Sequence, residues 1–395
     1  MTNNIVISYP FRTAVGTFGG TLKDISASDL GATVLKHIVT QSKVDPSEIS
    51  DCILGNVLQA GQGMNPARQV VLKSGLPVTI PAITINRVCG SGLQSIISAA
   101  QSIKSGEGKV IIAGGIENMD MAPYYLKKAR YGYRLSLPSE EMLDGMVYDG
   151  LWDIFNNVHM GLTAEYIAEK YSISREEQDI FAYNSQLKAI KAISEGRFIN
   201  QIVPVELPSK KEPIIFKEDE HPRKDTTLDK LSNLKSVFKK DGTVTAGNSS
   251  GINDGAALML ISSEETAEKS GLKVMGRLVS YALAGLEPTL MGMGPVPAIT
   301  SALEKARLTL NDIDLFEINE AFAAQALGVI KELQIPEEKN NINGGAIALG
   351  HPIGASGAIL MVKLLHEMER QQKNLGIVSL CAGGGMGIAA IVSRY

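Results

Sequence analysis

The sequence predicts an α/β fold made of two related halves, on three observations. Apolar runs of strand length alternate with apolar residues at helical spacing, the rhythm of a parallel or mixed sheet with helices on its faces. The 395 residues include 39 glycines against 5% aromatics, a balance that suits many tight turns between strands and helices. The order of elements near the N-terminus also returns near the C-terminus at nearly one offset.

Taken in order, Met1-Thr-Asn-Asn-Ile-Val-Ile enters a strand at once. Residues 30–39 suit an amphipathic helix and 49–57 a buried strand. Pro81-Ala-Ile-Thr-Ile is a short β-rich segment, and Asn86-Arg-Val-Cys-Gly-Ser-Gly follows it. Behind that turn Leu93, Ile96, Ile97, Ala100 and Ile103 recur at helical spacing. Lys109-Val-Ile-Ile-Ala-Gly-Gly reads as another buried strand, expected to end in a glycine turn.

The second half repeats this grammar. Ile313 and Ile318 fall on Ile49 and Leu54, and Gly354-Ala-Ser-Gly falls on Cys89-Gly-Ser-Gly. Each glycine turn precedes a helical pattern and then an apolar strand, the later one being Val378-Ser-Leu-Cys-Ala-Gly-Gly. Paired halves of this kind bring helix N-termini and strand ends to one shared site. The division is 1–118, completed by about 247–270, an inserted domain at 119–246 lying over the site, and 271–395. Residues 210–240 of the insertion are dense in lysine, which reads either as a solvated face or as local attraction for a polyphosphate.

Four constellations carry chemistry. Cys89 sits where an extended segment turns into a helix, and a helix N-terminus favours thiolate, so Cys89 is a candidate nucleophile. His351, in Gly-His-Pro-Ile-Gly, occupies the equivalent turn of the repeat, where an imidazole can take the thiol proton and later stabilise an oxyanion. Cys381 ends a buried strand ahead of glycines whose N–H groups can cradle an oxyanion. In Ile318-Asn-Glu-Ala-Phe, Asn319 can hold a water or polarise a carbonyl, and Glu320 is expected to orient His351. The small-residue stretch 245–255 suits close approach of an extended ligand. Cys52, inside a strand, reads as core packing.

The blocks around Cys89, Asn319, His351 and Cys381 resemble the four catalytic blocks of the thiolase family, and the resemblance runs from Arg12-Thr-Ala-Val-Gly to Gly387. It implies a layered αβαβα core in which Cys89 is acylated by acetyl-CoA, His351 activates it and Cys381 removes an α-proton from a second acetyl-CoA. The product is acetoacetyl-CoA. One oxyanion site is implied at His351 and a water on Asn319, the other at the N–H groups of Cys89 and Gly383. The resemblance places CoA near His159, Met160, Ala246, Ser250, Ala321 and Phe322, with Leu151, Arg223 and Phe238 nearer the nucleotide. No metal or separate cofactor is implied, coenzyme A being part of substrate and product. His159-Met160-Gly161 looks like the short-chain branch; a broader-chain 3-ketoacyl-CoA thiolase, a decarboxylating ketoacyl synthase and a non-catalytic CoA- or lipid-binding relative are the alternatives. Family members are dimers or tetramers, and a loop at 124–143 is placed to mediate the larger form. Two departures stand outside the catalytic blocks: Ser8-Tyr-Pro-Phe ahead of Arg12, and Ser249 where alanine is common.

Composition excludes several other classes. A net charge of −4 argues against a nucleic-acid or anionic-membrane binder, and no apolar run reaches the about 20 residues that span a bilayer. Neither end carries a secretory or peroxisomal signal, and three cysteines are too few for a disulfide scaffold, so the chain is expected in the reducing cytoplasm; the family resemblance implies a place in fatty acid metabolism.

Overall fold

A computed structural model describes residues 4–132, 142–207 and 212–395. Lys210 and the centre of the 124–143 loop lie outside the described residues. The main sheet runs, edge to edge, Leu315–Ile318, Leu375–Ala382, Met386–Arg394, Val274–Gly285, Ile5–Thr13, Asn253–Ser263, Val110–Asn118, Ile49–Gly55 and Ala82–Ile85. Its midpoint is the antiparallel pair in which Ile5 lies opposite Leu278 and Ile7 opposite Gly276. Outward from that pair the two sides repeat. On each side the next two pairings are antiparallel and the one after them is parallel. The duplication expected from the sequence is therefore present in the hydrogen-bond ladder itself.

Strand residues alternate between two faces, and both faces are apolar, so each needs a cover. The helices Ser91–Lys104 and Ser356–Gln371 fill the middle layer. Ile96, Ile103, Leu364 and Met368 pack there with Ile111 and Met259 of one half and Leu380 and Val392 of the other. On one outer face, Leu30, Val34 and Ile38 of the helix Ala27–Ser42 pack on Val6, Leu54, Ile112 and Leu260. On the other, Ile299 and Leu303 of Pro295–Ala306 and Val329 of Ala323–Leu333 pack on Ile318, Ile377 and Ile391. Helix, one half of the sheet, helix, the other half of the sheet, helix is the resulting order of layers.

The middle helices start side by side because both carry glycine at the closest approach. A Cβ on Gly92 would lie 2.8 Å from the Ala358 nitrogen, and one on Gly357 would lie 2.5 Å from the Leu93 nitrogen. Alanine at either place would separate the helices that follow the Cys89 and His351 turns.

One expectation fails. Gly114 and Gly115 do not end their strand, which continues to Asn118. They are glycines because a Cβ on Gly115 would run into the Gly354 carbonyl oxygen, and one on Gly114 into that of Ala257. Their partners in the repeat are therefore strand residues: Leu54 pairs Gly114 as Ile318 pairs Ser379.

The unusual Ser8-Tyr-Pro-Phe stretch is a β-bulge. The register against Asn253–Ser263 shifts between Ser8 and Phe11, and Tyr9 takes a left-handed φ of 51°. Between Asn118 and Asn253 lie the helices Met160–Lys170 and Arg175–Ser194, with small two-stranded ladders. This region is tied to the core by the buried Arg12–Asp219 pair, bonded at 2.7 and 2.9 Å. Among the described residues no helix is long and apolar enough to cross a membrane.

Candidate active site

Cys89 stands on a strained elbow. Val88, a β-branched residue, has a φ of 48°. The turn is held by Asn86 Oδ1, which accepts from the Val88 N–H at 2.8 Å, and by Ser91 Oγ, which accepts from the Arg87 N–H and donates to the Val88 carbonyl. The helix begins only at Ser91. Cys89 is half-buried and packs against an apolar group formed by Val57, Leu58, Met119, Met146 and Ile353. Burial pushes its thiol up to about 12, although the N–H groups of Gly383 and of Cys89 itself bond to the sulfur and pull the other way. The expected preference of the helix N-terminus for thiolate is outweighed by desolvation here, and the resting group is a thiol.

Cys381 ends the strand Leu375–Ala382 and is buried. Burial raises its thiol, and the neighbouring Cys89 raises it further. His351 is buried as well, and burial alone pushes it down to about 4, so it is neutral at neutral pH. Two contacts define its tautomer. Ser356 Oγ donates to the Pro352 carbonyl at 2.9 Å, so it accepts from His351 Nδ1 at 2.6 Å. Nε2 is left with its lone pair, facing the Asn319 amide nitrogen at 3.3 Å. Asn253 Oδ1 fixes the histidine backbone by accepting its N–H at 2.8 Å. Asn319 sits just past the strand Leu315–Ile318, and its Oδ1 is buried with no partner among the described residues.

Glu320 does not orient His351. Its carboxylate accepts from Ser185 Oγ, Asn341 Nδ2 and the Ile347 N–H, beneath Gly345, where a Cβ would collide with it. Ser356 holds the imidazole instead. The repeat carried a signal for it: Ser356 is the counterpart of Ser91, which braces the Cys89 turn through the same kind of backward bond to a carbonyl.

A cleft of about 940 Å³ leads to His351 and to Met119, Ile252 and Ile353, an apolar wall shared with Cys89. Its lining includes Leu151, His159, Arg223, Phe238, Ala246, Ser250 and Phe322. Met160 and Ala321 are buried and do not line it, Met160 instead reaching Gly383. His159 caps its helix by accepting the Gly161 N–H, and stacks on Phe238 at 4.7 Å. The stretch 245–250 closes one side, Ser250 N–H donating to the Ala321 carbonyl and Ser249 Oγ to that of Thr245. Sequence reasoning missed Thr17, Phe18 and His221, which reach the cleft from distant loops. Of the lysine-dense stretch, Lys230 joins Arg223 in the lining but pairs there with Asp225 at 2.6 Å, and Lys224 and Lys239 pair with Glu218 and Glu169. Among the described residues no group of three or more His, Cys, Asp or Glu side chains is placed to hold a metal ion.

The two thiols are neighbours, with the N–H groups of Cys89 and Gly383 on the Cys89 sulfur, and the cleft that reaches the neutral imidazole shares the apolar wall of Cys89 without either thiol lining it. Residues 5–265 match the family model for the thiolase N-terminal domain, and residues 272–394 the model for the thiolase C-terminal domain. The chain belongs to the thiolase family. The thiolase is 53% identical, over 392 residues and 99% of both chains, to a "Probable acetyl-CoA acyltransferase" of Staphylococcus aureus (strain COL). Its structure matches the crystal structure of the Bacillus anthracis acetyl-CoA acetyltransferase with a TM-score of 0.97 and 46% identity, covering 100% of this chain and 99% of that one. The human mitochondrial 3-ketoacyl-CoA thiolase, in complex with CoA, matches with a TM-score of 0.95 and 43% identity, covering 100% and 98%. As a thiolase, the protein is an acyltransferase enzyme.

Proposed function

We propose that this thiolase is an acetyl-CoA C-acetyltransferase, reversibly condensing two acetyl-CoA to acetoacetyl-CoA and CoA through an acetyl-Cys89 intermediate. The observation that carries this reading is the Cys89 sulfur under the N–H groups of Cys89 and Gly383 with a second buried thiol beside it.

Cys89 passes its proton to His351 Nε2 and attacks the thioester carbonyl. The oxyanion takes the N–H groups of Cys89 and Gly383, donors worth roughly 3–4 kcal/mol each in comparable sites. The S–C bond to CoA breaks, and the leaving sulfur takes the Cys381 proton. Burial then makes the Cys381 thiolate a strong base, and it stabilises the imidazolium formed in the same half-reaction. In the second half-reaction Cys381 removes the α-proton of a new acetyl-CoA. His351 and a water held by Asn319 stabilise the enolate, the carbanion attacks acetyl-Cys89, and the departing sulfur recovers its proton from His351. Each group ends in its starting protonation state, the Cys381 proton having left on CoA and been replaced by the α-proton, and CoA enters only as part of substrate and product.

Short-chain preference is supported by the apolar group that closes around Cys89, Met146 and Leu58 included. The 43% identity to a 3-ketoacyl-CoA thiolase favours a second reading, a broader chain range. Comparing kcat/KM for acetoacetyl-CoA and a ten-carbon 3-ketoacyl-CoA decides between them: strong preference for the former is expected, and comparable values would overturn the short-chain assignment.

We also assign the protein to the cytoplasm, where its three free cysteines stay reduced, and to a homo-oligomer. The edge strand Ala82–Ile85 supports the latter, since it exposes Ile83 beside exposed Val78 and Met64. The sheet midpoint supports dividing the chain into 1–118 with 247–270, the insertion 119–246, and 271–395.

A further inference from the structure

Glu117 lies in the strand Val110–Asn118 with no exposed surface, and no step above uses it. Four donors hold its carboxylate. Oε1 accepts from Asn56 Nδ2 at 2.6 Å and from the Leu58 N–H at 3.2 Å. Oε2 accepts from the Val57 N–H at 3.0 Å and from the Gly354 N–H at 2.8 Å. The first, second and third of these donors belong to the loop after Ile49–Gly55, whose Val57 and Leu58 pack against Cys89. The fourth belongs to the other half, in the turn between His351 and the helix Ser356–Gln371. The fit there is close, a Cβ on Gly354 falling 2.6 Å from Oε2.

One carboxylate therefore spans the seam between the acyl-receiving face and the histidine turn. Among side chains of this length only an ionised carboxylate accepts at both ends and donates at neither. An amide would turn an NH₂ group toward two of the four donors, whichever way it lay. We infer that Glu117 is a positioning residue that fixes the His351 turn against the Val57–Leu58 wall of the Cys89 site. This rests on the assignment of Cys89 as nucleophile and His351 as its base. Burial pushes the Glu117 carboxyl up to about 7 against the pull of these donors, so above that pH its charge also acts on the nearby sulfur, disfavouring the Cys89 thiolate.

The test uses the full chain with Glu117→Gln and Glu117→Asp, the second keeping the charge but withdrawing the carboxylate. In both, kcat for acetyl transfer from acetyl-CoA is expected to fall at least about tenfold with KM within about twofold, since Glu117 does not line the CoA cleft. Alkylation of Cys89 by iodoacetamide at about pH 8.5, read on its peptide by mass spectrometry, should accelerate in Glu117→Gln and stay near wild type in Glu117→Asp. A tie serving stability alone would not separate the two variants in this way. Wild-type kcat in either folded variant, equal alkylation in the Gln variant, or loss of fold in both would overturn the inference. Acetylation of wild-type Cys89 is read in the same series: its absence removes the nucleophile assignment itself, whereas its presence with unchanged variants overturns only the role of Glu117.

Discussion

Ser356→Ala isolates the support of the histidine from its chemistry. In the native site His351 Nδ1 donates to Ser356 Oγ at 2.6 Å, and that bond leaves the Nε2 lone pair directed at Asn319 and the reaction. Alanine strands a buried N–H and lets the neutral ring exchange tautomers, so the useful one must be restored at each turnover. Leaving one buried neutral donor unpaired costs about 1–3 kcal/mol, which corresponds to a fall in kcat between about fivefold and about 150-fold. Ser356 does not line the cleft, so KM for acetyl-CoA should stay within about twofold. The assay is initial-rate condensation with a parallel thermal melt, because Ser356 also braces Pro352 and the variant loses some stability. An unchanged kcat in a folded variant would refute the tautomer argument, and a rise in KM alone would place Ser356 in substrate binding.

Two further outcomes follow from buried carboxyl groups. Glu320→Ala leaves Ser185, Asn341 and the Ile347 N–H without their acceptor, so urea denaturation should show a loss of at least about 2 kcal/mol, while kcat of the folded enzyme stays within about threefold; a catalytic collapse at native stability would restore the orienting role. Asp254 is pushed up to about 8, by burial first and by Asp120 second. The folded protein holds that proton where the unfolded chain releases it near pH 4, so stability should fall as pH rises from about 4 to about 8, with a slope approaching about 1.4 kcal/mol per pH unit. Asp254→Asn keeps an acceptor for the Met119 N–H and should flatten the dependence; parallel slopes in both proteins would contradict this.

The repeat was legible because strand and helix periods survive duplication even where side chains diverge. Ser91 and Ser356, Gly92 and Gly357 occupy matching places in space as well as in sequence. Cys89, His351, Asn319 and Cys381 stood out as candidates because each lies at or just past a strand end or ahead of a helix in that repeat. Gly114 and Gly115 were misread because a glycine that ends a strand and one that admits a neighbouring backbone look alike in one dimension. Glu320 was misread for a related reason: adjacency to Asn319 gave no sign that its carboxylate turns under Gly345. His221 carried no local signal, since what brings it to the cleft is the packing of its loop, where Thr17 Oγ1 lies 3.1 Å from its Nδ1.

The division of labour between the two thiols is tested most directly by Cys381→Ser in separated half-reactions. With labelled acetyl-CoA, this variant should still form acetyl-Cys89, while condensation to acetoacetyl-CoA falls by orders of magnitude. Equal loss of both half-reactions, or label on a residue other than Cys89, would contradict the assignment of one thiol to hold the acyl group and the other to make the carbanion.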